Sequence, residues 1–428
     1  MKRKLFAIVM LLIATSTAFA QKFEDFFTNS TLRIDYTFAG NIDKQYISVD
    51  KLNKIPGWYG KKNNLSSTPV DGNGQITVRD HATGNIIYKN SFSTLFQEWL
   101  NMDEAKTTSK SFENVFLVPM PKKAVDITVD LRNKRREIAT TFTHTVNPKD
   151  ILIRHIGEKG VTPYDVLQMP ADTTKCIHIS YVAEGYTDAE MPVFIKDAKI
   201  AMEALFAHEP FKSMRDRFYI TAVKSESQES GTSTPSKGVW KKTALSSHFD
   251  TFYSERYLTT LNIKDLHDVL AGVPYEHIIV LVNTEEYGGG GILNSYNLSM
   301  THHQYYKEVV VHEFGHSFAG LADEYAYEFE QLPFYPADIE PWEPNITTLV
   351  DFDSKWKDMV KKGTPIPTPL SKDLKTINSR IGVFEGAGYS MKGVYRGVQD
   401  CRMRTNSTPY FCPICIRAIE KTIKFYTE

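Results

Sequence analysis

His312, Glu313 and His316 are the residues whose types and spacing point most directly to chemistry. On a helix, residues four apart lie one turn above each other on the same face, so two imidazoles placed this way can grip one metal ion. Glu313 stands beside them. In the order His-Glu-x-x-His the glutamate does not bind the metal but takes a proton from the water that the metal activates, which is the chemistry of a zinc peptidase. This fixes a reaction class and leaves the substrate open.

The motif needs a helix to carry it. Val311, Phe314, Phe318 and Leu321 repeat at helical spacing and can face a core, which leaves His312, Glu313 and His316 on an adjoining face. Upstream, Thr301-His302-His303-Gln304 has the pattern of a capping box and predicts the start of that helix. The plain alternative is a core helix whose histidines bond within the fold. A buried glutamate beside two buried histidines is costly without a task, which favours the metal reading.

The chain has 428 residues, a formal net charge of -1 and four cysteines. That charge gives no electrostatic case for nucleic acid or an anionic membrane. Residues 1–20 read as a signal peptide, with Lys2, Arg3 and Lys4 before the apolar run Leu5 to Ala14 and small residues at Ala18 and Ala20. The mature chain is then expected from Gln21, exported to a secreted, periplasmic or cell-surface location and without a transmembrane segment. Cys412-Pro413-Ile414-Cys415 has the spacing of half a zinc site, but no second pair accompanies it. The expectation is therefore a disulfide from Cys401 to one of that pair, with Cys176 a buried thiol.

The overall class expected is α+β. Residues 21–150 alternate apolar and polar positions between Gly, Asn and Pro turns, as at Leu32 to Phe38, Gln75 to Val78, Val115 to Val118 and Val125 to Leu131, and predict a β-sandwich. Residues 151–428 change to alternating strands and helices. Strands are predicted at Ile177 to Val182, Phe218 to Val223 and Ile278 to Val282. Helices are predicted after the capping box Thr187-Asp188-Ala189-Glu190, from about Ser254 to Leu270, and from Pro413 onward. Gly288-Gly289-Gly290-Gly291 precedes the histidine helix and reads first as a flexible turn, with the alternative that its bare backbone lets a substrate peptide pair along an adjacent edge. The Pro- and aromatic-rich stretch from Tyr325 to Lys375 predicts irregular structure beside the cleft.

Several ordered motifs together resemble a known family. They are His312-Glu313-Phe314-Gly315-His316 with Asp323-Glu324-Tyr325, the upstream Glu286-Tyr287-Gly288-Gly289, and the downstream Phe384-Glu385-Gly386-Ala387, Cys401-Arg402-Met403-Arg404 and Phe411-Cys412-Pro413-Ile414-Cys415. From about 165 to 426 the chain resembles the bacterial IgA metalloendopeptidase family, a metzincin-like zincin group, and the preceding β-rich region resembles the domain that often comes before it. The resemblance implies a zinc endopeptidase in 151–428 with a metzincin-like α/β catalytic fold. It also implies that Met403 forms the turn beneath the metal.

The third metal ligand departs from the better-known metzincin signature. Gly320 comes four residues after His316 and Asp323 seven after. An unbroken helix would carry Asp323 about 10.5 Å beyond His316, so the chain must turn, and Gly320 can take the left-handed conformation that ends a helix. Asp323 is the expected ligand, with Glu324 or the more distant Glu340 and Glu343 as the alternatives. Tyr389, Tyr395 and Arg396 are candidates to assist the oxyanion by position alone.

The leading expectation is thus an exported endopeptidase with bound Zn2+, acting on an extracellular protein or glycoprotein. Its ligands are His312, His316 and Asp323, and its general base is Glu313. Two other classes stay open: an adhesion protein on an inactive zincin scaffold, and a zinc hydrolase of a non-peptide bond.

Overall fold

Alternating apolar residues build the first part of the chain as strands. The computed structural model describes residues 21–328, 334–372, 377 and 380–428, so the expected signal peptide lies outside the described residues. After one helical turn, α1 (Phe23–Phe26), come β1 (Phe27–Gly40), β2 (Gln45–Pro56), β3 (Gly74–Asp80) and β4 (Ile86–Phe92). A short helix α2 (Leu95–Trp99) leads into β5 (Lys110–Pro121), β6 (Val125–Arg132), β7 (Ile138–Val146) and β8 (Arg154–His155). They form two four-stranded sheets, ordered β5-β1-β2-β8 and β4-β3-β6-β7. In β6 every second residue, Val125, Ile127, Val129 and Leu131, is buried, and these join Leu32, Ile34, Tyr36 and Phe38 of β1 in one core.

The second part alternates strands and helices: β9 (Tyr164–Gln168), β10 (Ile177–Glu184), α3 (Met191–Phe206), β11 (Phe218–Val223), α4 (Ile263–Val269), β12 (His277–Val282), β13 (Gly289–Ile292), β14 (Tyr296–Met300) and α5 (Tyr306–Ala319). Three short strands, β15 (Ile346–Thr347), β16 (Phe384–Ala387) and β17 (Ser390–Arg396), make a small sheet before α6 (Pro413–Thr427). The main sheet has the order β13-β14-β12-β10-β11-β9. Its four inner strands are parallel and its two outer ones antiparallel to their neighbours. The fold is therefore α+β.

β10 and β12 are buried along their whole length, as strands covered on both faces must be. Their period of two divides the apolar interior. Ile278, Val280 and Val282 join α4 and the N-terminal sheets in one cluster, whereas Ile279 and Leu281 join α3, α5 and α6 in another. The histidine helix thus lies on one face of the sheet, and the N-terminal region is continuous with the packing on the other. Polar ties reinforce this contact. The buried Arg33 bonds Asp35 at 2.7 Å and reaches Asp268 of α4 at 2.5 Å, and Asn294 Nδ2 donates to Ser91 O at 2.9 Å.

Two local expectations fail for identifiable reasons. The helix predicted from Ser254 to Leu270 is only α4, because the residues ahead of it pair elsewhere. Leu258 N donates to Gly289 O and Gly289 N to Arg256 O, so this segment spends its backbone groups on the outer edge of β13. The capping box at Thr301 is not used either. Thr301 Oγ1 is held by Val282 O at 3.0 Å and by the Tyr186 hydroxyl at 2.7 Å, and α5 begins at Tyr306 with no side-chain cap. The box at Thr187 and Glu190 does form.

His277 of β12 supplies a test of this packing. Its ring meets Phe318 and Tyr426 edge-on, and its Nε2 finds no hydrogen-bond partner among the described residues. Burial pushes its pKa down to about 3. Unfolded histidine titrates near about 6.5. Stability from a depressed histidine is therefore present above that pH and lost as pH falls toward the folded value. The urea midpoint should drop between about pH 7 and about pH 4.5, and His277→Leu should shrink that drop by about 1 kcal/mol or more. Identical pH dependence in variant and wild type would contradict a buried neutral His277.

Candidate metal centre

Helix α5 presents two faces. Val310, Val311, Phe314 and Phe318 are buried against Phe211 and the sheet, with the Phe314 and Phe318 rings stacked at 5.0 Å. The other face carries His312, Glu313 and His316. The helix ends where Gly320 takes φ 63° and ψ 33°, and Gly320 N bonds back to His316 O while Leu321 N bonds to Gly315 O. The ring of Trp342 covers that turn so closely that a Cβ on Gly320 would sit 2.5 Å from it.

Beyond Gly320 the chain leaves helical structure and is pinned on both sides. Ala322 N donates to Asn345 Oδ1 at 2.8 Å, and Asn345 Nδ2 returns a bond to Ala322 O at 2.9 Å. Glu324 N donates to Met403 O, and Gly388 N to Asp323 O. The side-chain bonds of the two neighbours show that they diverge. Asp323 accordingly faces α5, and Glu324 turns away from it into the interior.

Three ligand atoms converge in front of α5. His312 Nε2 lies 3.0 Å from His316 Nε2 and 3.0 Å from Asp323 Oδ1, and His316 Nε2 lies 3.3 Å from the same oxygen. Together the three residues can hold one metal ion. The outer nitrogens are committed elsewhere: His312 Nδ1 to Arg402 O at 3.0 Å and His316 Nδ1 to Leu321 O at 2.5 Å. Each Nδ1 therefore donates to a carbonyl, which fixes the ring and turns the Nε2 lone pair inward. Burial opposes a charge on His316, but Asp323 and Glu313 outweigh it and raise its pKa to about 9, so a metal ion would bind there by displacing the proton on Nε2. Burial likewise works against Asp323, yet the two histidines hold its carboxyl well below the usual range.

Glu313 stands apart from that triangle, and burial pushes its carboxyl above the ordinary carboxylate range. The glycine strand explains its position. A Cβ on Gly289 would meet Glu313 Oε1 at 2.8 Å, and one on Gly291 would meet Glu313 O at 2.5 Å and His316 Cβ at 3.0 Å. The bare backbone does serve close approach, but by the chain's own α5 on one side and by Arg256 to Leu258 on the other. The run is thus strand β13 rather than a flexible turn, and Gly288 to Gly290 are lined by that segment rather than open to a substrate.

The remaining candidates separate clearly. Glu340 accepts from Asp351 N and Thr348, and Glu343 from the Tyr335 hydroxyl, so neither faces the histidines. The Tyr389 hydroxyl donates to Asp323 Oδ2 at 2.8 Å and lies 2.8 Å from the Tyr325 hydroxyl. Arg396 is bound to the carbonyls of Glu385, Gly386 and Gln399, and Tyr395 pairs within the small sheet. Met403 is buried beneath α5, where a Cβ on Gly315 would meet its Sδ at 2.8 Å. Asn345 is a positioning residue that no sequence pattern marks. The N-terminal region also borders the site, since Glu98 of α2 bonds the Tyr257 hydroxyl and Asn73 accepts from Trp342 at 2.8 Å.

The expected disulfide is not formed. Cys176, Cys401, Cys412 and Cys415 are all buried free thiols, and Cys401 Sγ stands 3.9 Å from Cys415 Sγ.

Comparison with known families matches residues 166–380 and 374–423 to IgA Peptidase M64, and residues 22–143 to Peptidase M64 N-terminus. A search of curated proteins finds no match.

The glycine contact yields a prediction. Gly291→Ala should lower stability by about 1–3 kcal/mol, because its Cβ would meet helix backbone that cannot yield as a flexible side chain can. Denaturant unfolding measures this, and an unchanged midpoint would mean that β13 and α5 are not locked together.

Proposed function

The chain belongs to the IgA Peptidase M64 family and is therefore a peptidase, and from that premise we propose that it is an exported, zinc-dependent endopeptidase acting on an extracellular protein or glycoprotein. Residues 21–150 then form a β-sandwich domain and residues 151–428 a metzincin-like catalytic domain.

The observation that carries the reading is the triangle of His312 Nε2, His316 Nε2 and Asp323 Oδ1, with sides of 3.0, 3.0 and 3.3 Å. Two imidazole nitrogens and a carboxylate oxygen at about 2.0–2.2 Å from a tetrahedral zinc stand about 3.3 Å apart, so the donor types and their spacing both suit that ion. The ligand side chains keep between 11% and 16% of their surface exposed, so water can reach the fourth position. When bound, zinc supplies Lewis-acid polarisation of the scissile carbonyl and makes water more acidic.

The chain's own residues do the rest. Glu313 takes a proton from the attacking water as the new C–O bond forms, and passes it to the amine nitrogen as the C–N bond breaks. Its place beside the ligands but outside their triangle fits this role. Tyr389 holds Asp323 Oδ2, which leaves Oδ1 aimed at the two Nε2 atoms. The ligands and Glu313 are all in place, which weighs against an inactive scaffold. No helix among the described residues is long and apolar enough to cross a membrane.

Mass spectrometry of cleavage products from a mixed extracellular proteome tests the activity. Glu313→Ala should retain its metal and cleave at least about 100-fold more slowly, since general-base catalysis contributes on that scale. A purified variant that cleaves at the wild-type rate would remove Glu313 from the mechanism. Asp323→Ala should weaken zinc binding at this site by about tenfold or more, whereas Glu340→Ala should leave it unchanged. The reverse pattern would overturn the ligand assignment.

A further inference from the structure

Directly behind the histidine site lies a second convergence of ligand atoms. Glu324, Cys401, Cys412 and Cys415 are all buried, and one ligand atom from each lies within 4.8 Å of every other. Three separate segments supply them: the stretch after α5, the loop that carries Met403, and the first turn of α6. We propose that these four residues form a second, structural zinc site with three thiolate sulfurs and one carboxylate oxygen.

The spacing favours a shared ion over a sulfur pair. Around a tetrahedral zinc with sulfur at about 2.3 Å and oxygen at about 2.0 Å, two sulfurs stand about 3.8 Å apart and a sulfur and an oxygen about 3.5 Å. Cys401 Sγ and Cys415 Sγ are separated by 3.9 Å, and Cys415 Sγ and Glu324 Oε1 by 3.2 Å. A disulfide would need the sulfurs at about 2.05 Å and would engage only two of the four residues.

Glu324 is the independent observation. Its side chain is fully buried, and Oε1 receives Asn345 Nδ2 at 3.0 Å and the Cys415 thiol. Its Oε2 has no hydrogen-bond partner among the described residues. A carboxylate sealed away from water with one oxygen unmatched is costly, and a cation held jointly with thiolates removes that cost.

The surroundings are built for thiolates. Cys412 N donates to Cys401 Sγ at 3.2 Å, and Cys415 N donates to Cys412 Sγ at 3.5 Å. Cys412 is the N-cap of the 15-residue helix α6, with Pro413 behind it, so the positive end of the helix dipole faces the sulfurs. On binding, each cysteine gives its thiol proton to solvent, and no oxidation takes place. Soft sulfur donors with one oxygen select zinc over calcium or magnesium.

Such an ion would brace the catalytic ligands. Glu324 adjoins Asp323, and Cys401 adjoins Arg402, whose carbonyl holds His312 Nδ1. The site is independent of the peptidase reading, so its failure and that of the catalytic assignment can be told apart.

Metal content of the full mature chain, purified without chelator, decides the matter. Wild type should carry two zinc ions, the His312→Ala/His316→Ala variant one, and Cys412→Ser/Cys415→Ser one. If the cysteine variant fails to fold, cobalt exchanged into the histidine variant gives the answer, through a thiolate-to-metal charge-transfer band in the near ultraviolet. Thiol titration after unfolding in chelator should find all four cysteines reduced. A histidine variant with no zinc and no such cobalt band, or a wild type with only two titratable thiols, would overturn the second site. A wild type with one zinc that survives the histidine substitutions would instead overturn the first.

Discussion

The reversal of the chain at Gly320 is the constraint on which the candidate centre depends. Asp323 follows His316 by seven residues, a distance of about 10.5 Å along a continuing helix, and only a left-handed residue at the helix end brings it back within 3.3 Å. A side chain at 320 would meet the Trp342 ring, so the turn is fixed by packing as well as by φ. The stretch that follows sends Asp323 and Glu324 different ways, one toward the histidines and one toward the cysteines. Two clusters of donors, one of imidazoles with a carboxylate and one of thiols with a carboxylate, thus hang on a single short segment, and Asn345 holds its backbone in place.

The supports of α5 come from every direction. Below it, Met403 fills the space that a bare Gly315 leaves, and the same loop offers Arg402 O to His312. Beside it, the glycines of β13 bring a strand against Glu313. Glu98, Asn73 and Val70 show that the N-terminal region reaches the same neighbourhood, through Tyr257, Trp342 and the turn at Gly320. Its packing is continuous with the back of the main sheet.

Much of this was legible in the sequence where the signal is local. The apolar runs of β10 and β12, the alternation of β6, the helical spacing of Val311, Phe314 and Phe318, and the stop at Gly320 are all consequences of periodicity or of one residue's backbone freedom. The failures share a different cause. Thr301 has the right pattern for a cap, but Tyr186 and Val282 claim its hydroxyl. Ser254 to Leu258 has helix-compatible composition, yet the backbone at Arg256 and Leu258 pairs with Gly289 of β13. Cys412 and Cys415 lack a second cysteine pair, and their carboxylate partner Glu324 lies 91 residues before Cys415, beyond any spacing rule. Asn345 carries no local pattern at all, since its task is defined only by the segment it binds.

The central claim is that His312, His316 and Asp323 share one zinc ion with Glu313 beside it. Anomalous diffraction from crystals of the mature protein, recorded on both sides of the zinc absorption edge, tests it most directly. The account predicts a zinc peak about 2.0–2.2 Å from His312 Nε2, His316 Nε2 and Asp323 Oδ1, with Glu313 outside bonding distance. A zinc peak coordinated by Glu313 or Glu340, or no peak at the histidines in active protein, would contradict it.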